Sequence, residues 1–210
     1  PDNPTGHCMD ADGIKSLLQW SKECGINLIV DESFLDFADT EDLSLLSEQV
    51  LKENRNLYVV KSISKSYGVP GLRLGILASG NTDMIEHLKK DVSIWNINSM
   101  AEFFMQILDK YKSDYTDSLR KIKEERSRFF DELCMIENLK VYPSQANYFM
   151  CEILDGMSSE ALAGRLLKKN ILIKDLTGKI HNGKHYIRLA VRGAEENRRL
   201  VEKLKVCMKQ

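Results

Sequence analysis

The first hundred residues alternate helix-like segments with short runs of β-branched residues, and this alternation restricts the fold more than any other feature. Apolar residues recur at helical spacing over 14–21, and a strand-like run that is largely apolar on both faces follows at 26–31. The order repeats with a helix at 43–51 and a strand at 57–64, and another strand is predicted at 72–79. This pattern favours an α/β fold with a mainly parallel sheet, in which 26–31 is a buried central strand.

The second half of the sequence predicts a long helix followed by a smaller α/β unit. Residues 98–136 have an almost entirely helical pattern, with a break near 111–115. We therefore expect residues 1–112 to form part of a large domain, 113–138 a connecting helix and 139–210 a small C-terminal domain. In the small domain, strands are predicted at 140–142, 148–153, 171–176 and 186–191, and helices at 158–169 and 194–208.

Composition excludes several classes of protein. Of the 210 residues, 43% are hydrophobic, which is enough to build a core and argues against disorder. The net charge is -1, so no overall field draws the chain onto nucleic acid or an anionic membrane. The five cysteines are odd in number and lack metal-binding spacing with the four histidines, which predicts free thiols in a reducing cytoplasm and no metal site.

The segment 62–75 holds the residues best suited to binding an anionic group. It has the sequence SISKSYGVPGLRLG, in which a strand ends, hydroxyls and Lys65 follow, and Arg73 comes eight residues after the lysine. Hydroxyls and a guanidinium at the carboxyl end of a strand can donate hydrogen bonds to a phosphate. A partly desolvated lysine near another cation has its amine form favoured, as a nucleophile that forms a Schiff base requires.

Two further residues are candidates because of their positions. Asp31 ends the strand predicted to be buried, and a buried carboxylate needs a partner, such as a protonated ring nitrogen, because an unpaired buried charge is costly. Asn3 begins a turn in the sequence NPTG, and its amide can donate a hydrogen bond to a phenolic oxygen.

These motifs resemble, in order, those of the fold type I, pyridoxal-phosphate-dependent class I/II aminotransferases. They are NPTG, IVDE around Asp31, SISKSYGVPGLRLG around Lys65 and YIRLAVR around Arg188. The segments VPGLRLG, SQANY and IRLAVR, with the EEN that follows, are similar to the branch of histidinol-phosphate aminotransferases and threonine-phosphate decarboxylases. Four ordered motifs are far more specific than any one of them. The resemblance implies the remainder of a mainly parallel large-domain sheet, followed by a small C-terminal α/β domain.

The resemblance also implies a role for each candidate residue. Lys65 would bind the cofactor, pyridoxal 5'-phosphate, covalently and then move the proton of the substrate's α-carbon. Asp31 would keep the pyridine nitrogen protonated, so that the ring can accept electrons. Asn3 would donate to the phenolic oxygen, and Arg188 would bind the substrate carboxylate. The phosphate would be held by Ser62, Ser64 and Arg73.

Other positions concern the substrate and two departures from the family pattern. Trp95, in a loop that lies near the active site in such enzymes, and Asn147, in SQANY, are predicted to contact substrate. Phe34 stands three residues after Asp31, where relatives that transaminate commonly have a tyrosine that donates to the phenolic oxygen. The family's glycine-rich phosphate loop is not found, and the chain opens on Pro1 without Met, so we expect it to be the later part of a longer polypeptide.

Three functions follow as hypotheses. The first is transamination, in a cytoplasmic homodimer, between a keto acid and an amino acid that can itself carry a phosphate or phosphonate. The second is decarboxylation of a phosphorylated amino acid with the same Lys65 and Asp31. The third is a non-catalytic, truncated module of a bifunctional chain. The first two differ in which bond to the α-carbon is broken, and the residues near Arg188 leave that choice open.

Overall fold

The computed structural model describes residues 1–40 and 42–209, which form two compact units. One unit is Met9–Asp117. The other combines the N-terminal segment Pro1–Cys8 with the chain from Ser118 onward. The chain passes from one unit to the other within a helix, Lys112–Cys134, rather than in a loop.

The unit Met9–Asp117 alternates helices and strands, as predicted. Its elements are α1 (Ala11–Glu23), β1 (Leu28–Asp31), α2 (Glu48–Glu53), β2 (Leu57–Lys61), α3 (Ile63–Ser66), β3 (Ile76–Ser79), α4 (Thr82–Asp91), α5 (Ser99–Ile107) and the start of α6 (Lys112–Cys134). Asn81 caps the start of α4, where its side chain accepts a hydrogen bond from the Met84 amide. The break predicted near 111–115 lies slightly earlier, in the 3-10 turn Leu108–Tyr111.

The strands of this unit form a mixed sheet in the order β1-β2-β3. β1 and β2 are parallel, with Asp31 opposite Val60, whereas β2 and β3 are antiparallel, with Lys61 opposite Ile76. The antiparallel pair departs from the predicted mainly parallel sheet. The cause is the connection 62–75, which holds only the one-turn helix α3 and a 3-10 turn. A parallel return usually contains a full helix packed across the sheet, which this connection lacks.

The prediction that the first strand is buried on both faces is wrong. Leu28 and Val30 pack against a core that includes Val59 and residues of α1 and α2. Successive side chains of a strand point to opposite faces, and on the other face Ile29 is 69% exposed and Asp31 is also exposed. β1 is an edge strand of the described sheet, and its apolar composition alone did not reveal that only one face is covered.

The second unit contains an antiparallel sheet covered on one face by helices. Its elements are the rest of α6, β4 (Leu139–Val141), β5 (Tyr148–Ile153), α7 (Ser159–Leu167), β6 (Lys174–Asp175), β7 (His185–Ala190) and α8 (Ala194–Met208). The strand order is β4-β5-β7-β6, and neighbouring strands are antiparallel. The fully buried Phe129, Phe149, Leu162 and Leu204 show that α6, α7 and α8 all contribute to its core.

The strand predicted at 171–176 is much shorter than expected, since only Lys174 and Asp175 pair with β7. The preceding residues are used by the end of α7 instead. Asn170 has a positive φ of 59°, and the amides of Asn170 and Ile171 donate to carbonyls of the last turn. The β-branched residues at 171 and 173 have a strand-like pattern, but the amide of Ile171 is used by the end of α7 and not by the sheet.

The N-terminal segment packs with the second unit, although the sequence analysis assigned residues 1–112 to the large domain. The Tyr148 hydroxyl donates to the Asp2 carbonyl at 2.8 Å, and the Gln145 amide donates to the Gly6 carbonyl at 2.8 Å. Gly6 has a φ of +74°, and a Cβ there would lie 1.9 Å from the Ser144 hydroxyl oxygen. Only glycine fits this close approach.

Two properties of the whole described chain bear on the earlier expectations. Within residues 1–40 and 42–209, no helix combines the length and the apolar character that crossing a bilayer requires. The five cysteines are free thiols, of which Cys151 and Cys207 are buried.

Candidate active site

Lys65 lies on α3, immediately after β2. The Lys65 side chain is exposed, and its ammonium nitrogen is 4.9 Å from the centre of the Phe34 ring. Among the residues that the structure describes, no carboxylate forms an ion pair with it. The amine is therefore accessible. Phe34, whose ring it faces, occupies the position at which transaminating enzymes of the similar family commonly have a tyrosine.

A double contact fixes the segment that carries Lys65. The buried Ser64 hydroxyl donates to the Leu74 carbonyl at 3.3 Å and accepts from the Leu74 amide at 3.0 Å. Ser64 is thus engaged by backbone groups of its own loop. The predicted phosphate contact from Ser64 stays a prediction, and the side chains left for that task nearby are Ser62 and Arg73.

Ser62 and Arg73 line one cavity of about 370 Å³. Ser62 precedes α3 without capping it through its side chain, and Arg73 is exposed and adopts a left-handed conformation with a φ of 57°. Ser33, Lys61 and Gly75 also line this cavity. The structure therefore brings a hydroxyl, a guanidinium and a second cation together at the carboxyl end of β2, as the phosphate hypothesis requires.

Asp31 is exposed, contrary to the prediction of a buried carboxylate, and its Oδ1 accepts from the Ser33 amide at 2.8 Å. The Ser33 hydroxyl in turn accepts from the Ser62 amide at 2.9 Å, which links the ends of β1 and β2. The buried carboxylate of this region is Glu32. Its oxygens accept from the Ser44 hydroxyl at 2.7 Å and from the Leu45 amide at 2.6 Å. Both oxygens of Glu32 are thus occupied by hydrogen bonds within the fold, whereas the Asp31 carboxylate is accessible to a ligand.

Arg188 and Asn3 meet in the second unit. The Arg188 guanidinium donates to the Asn3 amide oxygen at 2.6 Å and lies over the Tyr148 ring, 5.0 Å from its centre. Because the Asn3 oxygen is taken, the amide nitrogen is the group that remains to donate as predicted. Asn147 directly precedes Tyr148 in the sequence and is half-buried. Its backbone carbonyl accepts from the Val191 amide at 2.9 Å.

Arg188 also lines a larger cavity of about 1050 Å³ in the same unit. The charged residues around this cavity are mostly cationic: Lys174, Lys179, Arg188, Arg192 and Arg199, against Asp175 and Glu196. Arg192 is paired with Glu196 at 2.8 Å, so the remaining cations outnumber the remaining acid. Such a lining favours an anionic ligand.

The structure does not bring Trp95 to any of these groups. Its side chain is 88% exposed in the loop before α5, and Ile94 beside it is 94% exposed. The predicted substrate contact of Trp95 stays a prediction. In the same loop, Asn98 caps α5 and donates to the Leu72 carbonyl at 2.9 Å.

Sequence reasoning missed several residues that shape the site. Ser33 and Tyr148 each support a predicted residue, Asp31 and Arg188 respectively. A further cluster joins Asp36, Lys61 and Tyr115. The signal for it in the sequence is the pair of opposite charges, Asp36 and Lys61, near the ends of two adjacent strands. Among the described residues, no group of three or more His, Cys, Asp or Glu side chains is placed to hold a metal ion.

Comparison with known proteins identifies the family to which the chain is similar. The family model described as aminotransferase class I and II matches residues 1–204. The chain is 35% identical to an L-serine phosphate decarboxylase of Campylobacter jejuni, over 94% of this chain and 51% of that protein. It is 29% identical to a histidinol-phosphate aminotransferase of Carboxydothermus hydrogenoformans, over 97% and 54% respectively. The chain thus spans about half the length of these relatives.

A solved structure is similar over the whole chain. The histidinol-phosphate aminotransferase of Clostridium acetobutylicum superposes with a TM-score of 0.91 at 27% identity, covering 100% of this chain and 62% of that one. The resemblance proposed from the motifs and the predicted α/β fold class are both confirmed.

Proposed function

The chain belongs to the aminotransferase class I and II family, whose members depend on pyridoxal phosphate, and we propose that it is the part of such an enzyme that binds the cofactor covalently and recognises an anionic amino acid. The observation that supports this most directly is the accessible Lys65 amine on the segment between Ser62 and Arg73, which together line one cavity. Bound there, pyridoxal phosphate supplies an electron-accepting ring that makes bonds to the substrate's α-carbon easier to break.

The residues of the first unit fit that group. Ser62 and Arg73 would donate to the phosphate, and Lys65 would bond to the cofactor and move a proton at the substrate's α-carbon. Asp31 would accept a hydrogen bond from the ring nitrogen and keep it protonated, and its exposed carboxylate is accessible to such a ring. The Ser33 amide, bonded to Asp31, orients that carboxylate.

Arg188 would bind the substrate's carboxylate through its planar guanidinium, held in place by Asn3 and the Tyr148 ring. The cationic cavity around Arg188 supports a substrate with a second anionic group, such as a phosphate. Transamination is our first choice of reaction. Decarboxylation is the second, favoured by Phe34 and by the similarity to a serine phosphate decarboxylase. The predicted homodimer and cytoplasmic location stay predictions.

Reduction with borohydride tests the covalent step. The chain is incubated with pyridoxal phosphate at millimolar concentration, reduced, digested and mapped by mass spectrometry, which detects weak binding too. We expect labelling to be concentrated on Lys65 and to disappear from that peptide in Lys65→Ala, while Lys89→Ala, which removes an exposed lysine of the same unit, leaves it unchanged. Uniform labelling of exposed lysines in the wild-type chain contradicts the proposal.

The reaction type is decided by the products. An active form of the protein is given O-phospho-L-serine labelled with ¹³C in its carboxyl group, with and without 2-oxoglutarate. Transamination requires the keto acid and retains the labelled carbon in the product. Decarboxylation releases labelled carbon dioxide without any keto acid.

A further inference from the structure

Asp36 joins two elements on either side of the Lys65 helix. It lies in the 3-10 turn Leu35–Phe37 that follows β1, and its two oxygens have different partners. Oδ1 accepts from the Lys61 ammonium at 2.5 Å, and Oδ2 accepts from the Tyr115 hydroxyl at 2.8 Å. The Asp36 and Lys61 side chains are only 20% and 16% exposed, so solvent screens this pair much less than a surface pair.

The helix that carries Lys65 needs such support because α3 has only four residues. A single helical turn fixes several backbone dihedrals for very few hydrogen bonds and is unstable by itself. Ser62 at its start gives no side-chain cap. The Ser64 contact with Leu74 holds the middle of the turn, and its two ends require other contacts.

Asp36 reaches both of these ends. At the first, Lys61 is the last residue of β2 and directly precedes Ser62. At the second, the Tyr67 ring stacks on the Tyr115 ring, with centres 3.9 Å apart and planes inclined by 8°. Tyr67 is the C-terminal cap residue of α3, so the Tyr115 hydroxyl bond to Asp36 fixes the ring against which the end of the helix packs.

The electrostatics agree with a carboxylate that stays ionised in this setting. Burial acts to raise the pKa of Asp36, but the hydrogen bonds from Lys61 and Tyr115, with the nearby Ser66 hydroxyl, outweigh it and lower the pKa below its ordinary value. Burial and then Asp36 and Asp109 raise the pKa of Tyr67, so both stacked tyrosines stay neutral hydroxyls near neutral pH.

We propose that Asp36 is a positioning residue for Lys65, which fixes the Lys65 helix at both ends through Lys61 and through the Tyr115–Tyr67 stack. Lys61 also lines the cavity proposed for the phosphate, so the same carboxylate sets where that cation stands. The expected effect on cofactor binding rests on the proposed function of Lys65. The positioning of the helix is a property of the fold and can be measured without cofactor.

The test compares Asp36→Asn with a matched control. Asp36→Asn keeps the size of the side chain and an acceptor for Tyr115 but removes the charge that Lys61 faces. Asp83→Asn removes one partner of the exposed Arg55–Asp83 pair in the same unit. Hydrogen exchange of the peptide covering 62–68 is measured without cofactor, and borohydride labelling of Lys65 is measured with pyridoxal phosphate. Tyr115→Phe, which keeps the stacked ring, is the milder second variant.

We expect exchange over 62–68 to become roughly tenfold faster in Asp36→Asn, the effect of losing one hydrogen bond between charged groups, with a smaller rise in Tyr115→Phe. Labelling of Lys65 should fall in parallel, Asp36→Glu should restore part of both, and Asp83→Asn should change neither. Unchanged exchange over 62–68, or an equal increase across the whole unit, overturns the inference. If the wild-type chain shows no preferred label at Lys65, the proposed function fails, and the exchange comparison still decides the positioning role.

Discussion

Asn197 gives the sharpest prediction about stability, because its side chain is 2% exposed and uses both of its polar atoms. Its Nδ2 donates to Glu125 Oε1 at 2.8 Å and to the Arg192 carbonyl at 3.0 Å. Its Oδ1 accepts from the Arg192 amide at 3.0 Å. The amide thus ties α8 to α6 and to the residues just after β7, the strand that carries Arg188.

Replacing Asn197 with alanine removes all of these bonds at once. A neutral bond contributes about 1 kcal/mol and a bond to a charged group about 1.5–3 kcal/mol, so the free energy of unfolding of the second unit should fall by about 3–5 kcal/mol. Glu125 keeps Arg128 as a partner at 2.8 Å, which argues against a larger loss.

Urea unfolding followed by hydrogen exchange of peptides from 118–209 measures this loss for the second unit alone. The control is Glu196→Gln, at the residue next to Asn197. This change removes an exposed ion pair with Arg192 and should leave the unfolding midpoint unchanged. A loss below about 1 kcal/mol in Asn197→Ala would refute the view that these buried bonds hold the helices to the strand.

Three further predictions concern charge. Arg188→Lys keeps the charge but loses the planar guanidinium. In steady-state kinetics, binding of amino-acid substrates should therefore weaken by about 1–3 kcal/mol. Turnover of amines without a carboxylate should be the same in the wild-type chain and in the variant. Asp31→Asn should leave the circular dichroism spectrum unchanged and lower kcat on the order of 100-fold, and near-normal kcat would count against its role at the ring nitrogen. Because the pKa of Asp36 is lowered by folding, its contribution to stability is complete above the ordinary aspartate pKa and is lost as the pH falls below about 4. Acid titration of unfolding should therefore show a shallower loss in Asp36→Asn than in the wild-type chain.

Much of the fold could be predicted because local pattern and final structure agree. The helix over 194–208 and the strand over 148–153 have the predicted bounds, since each buries a continuous apolar stripe or face. The predictions were wrong where tertiary context decides. The run at 26–31 is apolar on both sides, yet Ile29 faces outward in the described structure. The residues at 171–173 have a strand-like composition, but the end of α7 takes their amides.

The sequence proposes the candidate site as a set of residues, whose roles stay predictions, but it does not give their contacts. Ordered motifs identified Lys65, Asp31 and Arg188, because sequence order is what motifs record. They could not show that the buried carboxylate is Glu32 rather than its neighbour, since both follow the same strand and only partners from the loop at 44–45 distinguish them. Nor could they show Tyr148 beneath Arg188, because that contact depends on the pairing of β5 with β7.

The two hydrogen bonds between the Ser64 hydroxyl and the Leu74 backbone have a consequence for ligand affinity. They close the loop that runs from the Lys65 helix to Arg73, so Ser62 and Arg73 stand at nearly fixed separation before any anion arrives. A flexible loop would lose conformational entropy on binding, at a cost of about 0.5–1.5 kcal/mol for each side chain it had to immobilise. Here the backbone part of that ordering is completed during folding. The proposed site is therefore preorganised, and we expect its selectivity between a phosphate and a larger or flatter anion to follow from this fixed spacing.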